Sequence, residues 1–222
     1  MVSAGEGIVV VAMRVKKNAG GIAMKRRLVL IVSLSGLLLY GSAGAATAAM
    51  TARAGASSQD LSSGAQNCVA QAEPAGSMVT PTATCYSSFS AAIRAATGGR
   101  VVLPASAKPA SVTPKEIDAW TAAPATVFVL SIDYKDANFG SPSLTWTQSS
   151  DCGNFQAASM PSGWNDVISS LVTGTNCANS LYQNVNFGGM RLDVSKNTAR
   201  SSLGSFNDLT SSQKWCPSKP CL

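Results

Sequence analysis

The chain has 222 residues, of which 13% are charged and none is histidine. A charged share about half the quarter usual for soluble domains points to an unusually apolar segment. The missing imidazole excludes a Ser-His-Asp triad, a Cys-His pair, a histidine zinc site and most side-chain acid–base chemistry near neutrality, so no enzyme is expected.

The apolar excess lies in the first fifty residues. Lys25, Arg26 and Arg27 precede the run from Leu28 to Leu39, and the small-residue stretch from Gly41 to Ala49 follows. Charged, apolar and small-residue parts in that order form a secretory signal, expected to be cut after Ala45 or Ala48. Twelve apolar-rich positions are too few for a ~30 Å hydrocarbon core, so no stable membrane span is expected and the protein is placed outside the cell. Met24 is the natural beginning of that signal, which leaves residues 1–23 as an extension and Met1 a doubtful start. Six of the 17 basic residues but only one of the 11 acids lie before Ala45, so the remaining chain carries +1 rather than the +6 of the whole. With no Lys/Arg cluster left, nucleic acid is not an expected partner.

Residues 50–66 have almost no large apolar side chains and are expected to be a flexible lead-in. Residues 67–125 are expected to form a small disulfide-stabilised α+β module and linker. An extended piece runs from Cys68 to Gln71. A short helix follows Cys85, capped by Ser87 or Ser88, with Phe89, Ile93 and Ala96 on one face and Gly98 as its left-handed stop. Arg100 to Leu103 is a candidate strand. Thr113-Pro114-Lys115-Glu116 is a capping box with proline at the first helical position, starting a helix to about Trp120.

From Val127 to Tyr134 the chain is β-branched and aromatic without a breaker, which predicts a buried strand; Ser143 to Thr147 alternates as a second. The pattern then returns. Tyr182 to Gly189 matches Tyr134 to Ser141 at an offset of 48, with Met190 to Val194 as its strand. Asn165-Asp166-Val167-Ile168-Ser169-Ser170 matches Asn207-Asp208-Leu209-Thr210-Ser211-Ser212 at an offset of 42, each preceded by an aromatic, Trp164 or Phe206. The six-residue difference falls in the first copy's middle loop, around Cys152. Residues 126–216 are therefore an internal duplication, and 217–222 a C-terminal tip.

The six cysteines all follow the export signal and predict three disulfides. Among the 15 possible pairings, short local loops favour Cys68–Cys85, Cys152–Cys177 and Cys216–Cys221. Without a C-x-x-C or any histidine, zinc is not expected.

The Tyr-x4-Phe-Gly hairpins and the Asn-Asp-x-x-Ser-Ser strings together resemble the paired Greek-key motifs of calcium-binding microbial βγ-crystallins, here in a secreted protein of actinobacterial type. The fold this implies is mostly β, a two-Greek-key sandwich preceded by the α+β module. The resemblance also implies two calcium sites, with the final serines Ser170 and Ser212 holding the hairpins rather than ligating. Both strings match the family pattern throughout. The hairpins differ: the family's glycine two residues after the second aromatic is present as Gly189, whereas the first copy has Ser141 there.

The chemistry of the strings agrees with that reading. Calcium takes six to eight hard oxygens in a tolerant geometry. Asp166 and Asp208 supply charge, Ser169 and Ser211 hydroxyls, and Val167 and Leu209 main-chain carbonyls, while Asn165 and Asn207 ligate or brace the loop. One carboxylate in each string predicts weak to moderate affinity, sufficient outside the cell. The competing reading makes each string a tight corner whose Asn, Asp and Ser bond their own backbone. Asp133 with Asp136, and Glu116 with Asp118, are read as solvated or capping residues. A different class of function, inhibition of an extracellular peptidase, is suggested by the similar fold of metallopeptidase inhibitors from soil actinobacteria. Its candidate loops are the insertion near Cys152 and the Cys216–Cys221 tip presenting Lys219.

Overall fold

A computed structural model describes residues 66–122 and 125–222. The expectations about the export signal, its cleavage and nearly all of the lead-in fall on residues 1–65 and lie outside the described residues. In chain order the strands are β1 (Asn67–Gln71), β2 (Glu73–Pro74), β3 (Ala83–Tyr86), β4 (Phe128–Asp136), β5 (Gly140–Gln148), β6 (Phe155–Ala157) and β7 (Ser170–Thr173), then β8 (Ala178–Asn184), β9 (Gly188–Val194), β10 (Thr198–Arg200) and β11 (Ser212–Cys216). Helices α1 (Phe89–Ala96) and α2 (Pro114–Thr121) lie between β3 and β4. Neither is long and apolar enough to cross a membrane.

The strands form two sheets, ordered β10-β7-β4-β5-β1-β3 and β2-β6-β11-β8-β9. Each sequence copy supplies four strands, β4 to β7 or β8 to β11. Three stay together, and the third in order, β6 or β10, crosses to the sheet built by the other copy. The protein is thus mostly β, a sandwich of two Greek keys exchanging one strand each. Leu130, Leu144, Trp146 and Leu171 of one sheet and Leu181 and Trp215 of the other belong to one core. The Trp146 and Trp215 rings meet at 4.8 Å.

Residues 67–125, set apart in the sequence reading, share the sheets of the sandwich. Strand β1 pairs in parallel with β5, from Asn67 beside Ser143 to Gln71 beside Thr147, and carries β3 on its other edge. β2 extends the second sheet through β6. The physical reason lies in β5: its polar Ser143, Thr145 and Thr147 are all buried. A neighbouring strand is needed to satisfy the backbone groups around them. Helices α1 and α2 cover the outer face of the first sheet, placing Phe89, Ile93, Ile117 and Trp120 in a second core with Ile132, Tyr134 and Val172. β4 is therefore buried on both faces, which accounts for large apolar side chains at both odd and even positions along it.

Helix signals in the sequence match the structure. Ser88 Oγ accepts from the Ala91 amide at 3.2 Å. Thr113 and Glu116 form the reciprocal capping box. Gly98 has a φ of +61° just past α1. All three disulfides join the expected partners.

Two expectations are corrected. Arg100 to Leu103 is not a strand. The Val101 amide is taken by Thr97 Oγ1 at 3.1 Å, and the Arg100 guanidinium donates to the Trp120 carbonyl at 2.5 Å, so this segment ties α1 to α2 instead of joining a ladder. Asp133 is neither solvated nor capping but completely buried. Alternation along β4 turns Ile132 and Tyr134 toward the helices and Asp133 the other way, where it bonds Gln213 of the opposite sheet.

Candidate metal centre

The two hairpins that begin the copies have the same backbone. Asn138 and Phe139 have φ values of +57° and +61°, and Asn186 and Phe187 values of +56° and +62°. A phenylalanine in the left-handed region is uncommon and must be held there. Ser170 Oγ does so in the first copy, donating to the Asp136 carbonyl at 2.6 Å and accepting from the Phe139 amide at 3.0 Å. Ser212 makes the same pair with the Asn184 carbonyl and the Phe187 amide, at 2.6 and 3.0 Å. The last serine of each string therefore clasps its own hairpin, as the resemblance implies. Tyr134 and Phe139 meet edge to face at 5.6 Å, as do Tyr182 and Phe187. The first hairpin keeps this shape despite Ser141.

The rest of each string faces the other copy. The Asp166 amide donates to the Thr210 carbonyl and the Asp208 amide to the Ile168 carbonyl, both at 3.0 Å. Ser211 Oγ donates to Asp166 Oδ1 at 2.8 Å, and Ser169 Oγ to Asp208 Oδ1 at 3.0 Å. Each carboxylate's second oxygen accepts from the preceding asparagine, Asn165 Nδ2 to Asp166 and Asn207 Nδ2 to Asp208, at 2.7 Å in both. Asp166 and Asp208 have φ values of +53° and +55°. The structure thus groups Asn165 and Asp166 with Ser211, and Asn207 and Asp208 with Ser169. The sequence places these donor types in both strings and brings the two halves together there; which serine serves which carboxylate is supplied by the structure.

The donor chemistry suits a hard cation. Each cluster brings a carboxylate and an amide to the surface above a hydroxyl: both aspartates and both asparagines are exposed and both serines buried. No described residue donates a hydrogen bond to the Val167 or Leu209 carbonyl, which leaves those oxygens available. Among the described residues there is no group of three or more His, Cys, Asp or Glu side chains placed to hold a metal. Each cluster has one carboxylate among neutral oxygen donors, the oxygen-only chemistry that hard cations take.

The other candidate positions are now placed. Glu116 caps α2, while Asp118 Oδ1 accepts from the Thr175 amide at 2.7 Å. Pro217 to Pro220 are exposed between buried Cys216 and Cys221. The tip is moored to the second sheet by Tyr182 Oη donating to the Cys221 carbonyl at 2.8 Å and the Cys221 amide donating to Ser180 Oγ at 3.1 Å. The insertion near Cys152 is pinned by its disulfide and by Asn176 Nδ2 donating to Asp151 Oδ1 at 3.0 Å.

No family model matches this chain, and no curated protein matches it. Among solved structures it is similar to a βγ-crystallin domain bearing on the evolution of the eye-lens fold, with 25% identity over 40% of this chain and 85% of that one, at a TM-score of 0.34. It is also similar to a βγ-crystallin domain from Flavobacterium johnsoniae, with 26% identity over 42% and 99% and a TM-score of 0.30. A βγ-crystallin from an archaeon gives 26% identity over 39% and 95%, again at 0.30. TM-scores this low add no weight to the role of any residue; the architecture rests on the strand pairing described above.

Proposed function

We propose that this chain is an exported, disulfide-stabilised protein whose Greek-key sandwich binds two calcium ions, one at each crossed cluster, and that the ions serve to stabilise the fold. The observation that supports this reading is the reciprocal placement of Asp166 with Ser211 and of Asp208 with Ser169. An ion in either cluster bridges the two copies, because its ligands come from both. Asp166, Ser211 and the Leu209 carbonyl would hold one ion, with Asn165 ligating or bracing. Asp208, Ser169, the Val167 carbonyl and Asn207 would hold the other. With one carboxylate each, affinities belong in the range of extracellular modules, about 10⁻⁴–10⁻³ M, or somewhat tighter. A ligand that binds only the folded state stabilises it by about 2.7 kcal/mol at a hundredfold excess over Kd.

Calorimetric titration with calcium, and thermal melting in calcium against chelator, test this reading. Heat on binding and a raised Tm are expected for the parent chain and neither for the Asp166→Asn/Asp208→Asn double variant, which should still fold in chelator. A parent chain with no heat and no change in Tm would sink the reading.

The second reading, inhibition of an extracellular peptidase, draws support from the exposed Pro217–Pro220 tip on its buried disulfide. It predicts stoichiometric inhibition of a metallopeptidase or serine peptidase that is lost on changing Lys219. A panel of such enzymes left unaffected would remove it.

A further inference from the structure

Asp133 is the one ionisable side chain inside the sandwich core among the described residues. Its Oδ2 accepts from Trp146 Nε1 of β5 at 2.7 Å and from Gln213 Nε2 of β11 at 2.6 Å, so it links the two sheets. Its Oδ1 is buried without a described partner, as is Asn179 Oδ1 of β8. Gln213 stands between them, for its Oε1 accepts from Asn179 Nδ2 at 2.9 Å.

The internal duplication shows that the fold does not require this carboxyl. At the offset that aligns Tyr134 with Tyr182, Asp133 aligns with Leu181; at the offset that aligns Ser170 with Ser212, Gln213 aligns with Leu171. Asp133 sits opposite Leu171 in one sheet, and Leu181 opposite Gln213 in the other. Each copy therefore replaces one leucine of the pair, and the two polar replacements meet each other across the interface. A leucine pair would leave nothing to titrate; this arrangement places a proton-binding group at the centre.

We propose that Asp133 is a proton-operated latch between the two Greek keys: as the neutral acid it joins Trp146 and Gln213 with no buried charge, and on ionisation it loosens the sandwich. The residues facing it by register or hydrogen bond are Leu144 and Trp146 of β5, Leu171 of β7 and Gln213 of β11. None bears a charge that could balance a carboxylate. On its own strand, Tyr134 turns to the helix side, and Lys135, two residues on, sets its ammonium over the Trp164 ring at 5.0 Å and forms no ion pair with Asp133. Burial raises the carboxyl, and the bonds from Gln213 and Trp146 recover only part of that shift, leaving it at about 6 against 3.8. The folded pKa thus lies above the unfolded one. The latch is closed below pH 3.8, opens as pH rises through 6, and stays open above it, reducing the folding equilibrium constant by about a hundredfold, or roughly 2.7 kcal/mol.

The test is equilibrium unfolding of the full chain between pH 4 and pH 8 in chelator, with Asp133→Asn alongside. The expected result is a parent chain that loses about a hundredfold across this range relative to the variant. Equal pH dependence in the two chains would overturn the proposal. Should the variant fail to fold, Asp133→Leu with Gln213→Leu, which restores the leucine pairs of the duplication, serves as the neutral control. In the parent chain, the Trp146 indole N–H resonance should titrate with a midpoint between pH 5 and 7; an indole signal constant over that range overturns the proposal as well.

Discussion

Ser211 donates its hydroxyl to the carboxylate of Asp166 at 2.8 Å across 45 residues of chain, and Ser169 does the same for Asp208 across 39. Each cluster is thus a joint product of the two copies. A change in one string reaches the carboxylate of the other, and this cross-wiring sets the first prediction.

In a double-mutant cycle on calcium binding, Ser169→Ala and Asp208→Asn should couple by about 1 kcal/mol, and Ser169→Ala and Asp166→Asn much less. Titration calorimetry of the three single variants and two double variants measures both couplings. Equal couplings, or a larger one within the first string, would contradict the crossed assignment.

Ser170→Ala removes both bonds that hold the first hairpin, leaving the Phe139 amide and the Asp136 carbonyl without their partner. A loss of about 1–3 kcal/mol is expected, read as a lower midpoint in denaturant. Ser212→Ala should cost a similar amount, because its two distances repeat those of Ser170.

Ile117 is buried against the helix side of the first sheet, and its Cγ2 stands where a Cβ on Gly174 would fall, at 2.9 Å. Ile117→Ala should destabilise by about 2–5 kcal/mol, and Gly174→Ala should also be unfavourable. A fragment beginning at residue 126 loses β1, β2, β3 and both helices together. It is expected to bind a hydrophobic dye and to show no cooperative melt, because Ile132, Tyr134 and Val172 lose their cover.

The Cys68–Cys85 disulfide joins directly opposed residues of β1 and β3 and closes a loop of 17 residues. Replacing both cysteines by serine should lower stability by about 3 kcal/mol on the chain-entropy account. Amide exchange should rise first in the edge strand β3 and in β1 beside it, and later in β4 and β7.

Local chemistry decided much of this protein at the level of sequence alone. The caps at Ser88 and Thr113, the left-handed stop at Gly98, the duplicated strings and the short-loop disulfides depend on residues within a few positions, or a short loop, of one another. Their spacing is therefore visible in the chain. Tertiary structure alone decided the partners of those groups. Nothing in the string from Asn165 to Ser170 says that its serine will serve a carboxylate in the other copy, because that pairing follows from strand exchange between sheets. Nor could a strand resembling β1 be assigned to the edge of β5 while its hydrogen-bonding partner was unknown. Asp133 shows the same limit: in the sequence its carboxylate reads as solvated or capping, and its burial follows from packing on both faces, by helices on one side and a second sheet on the other.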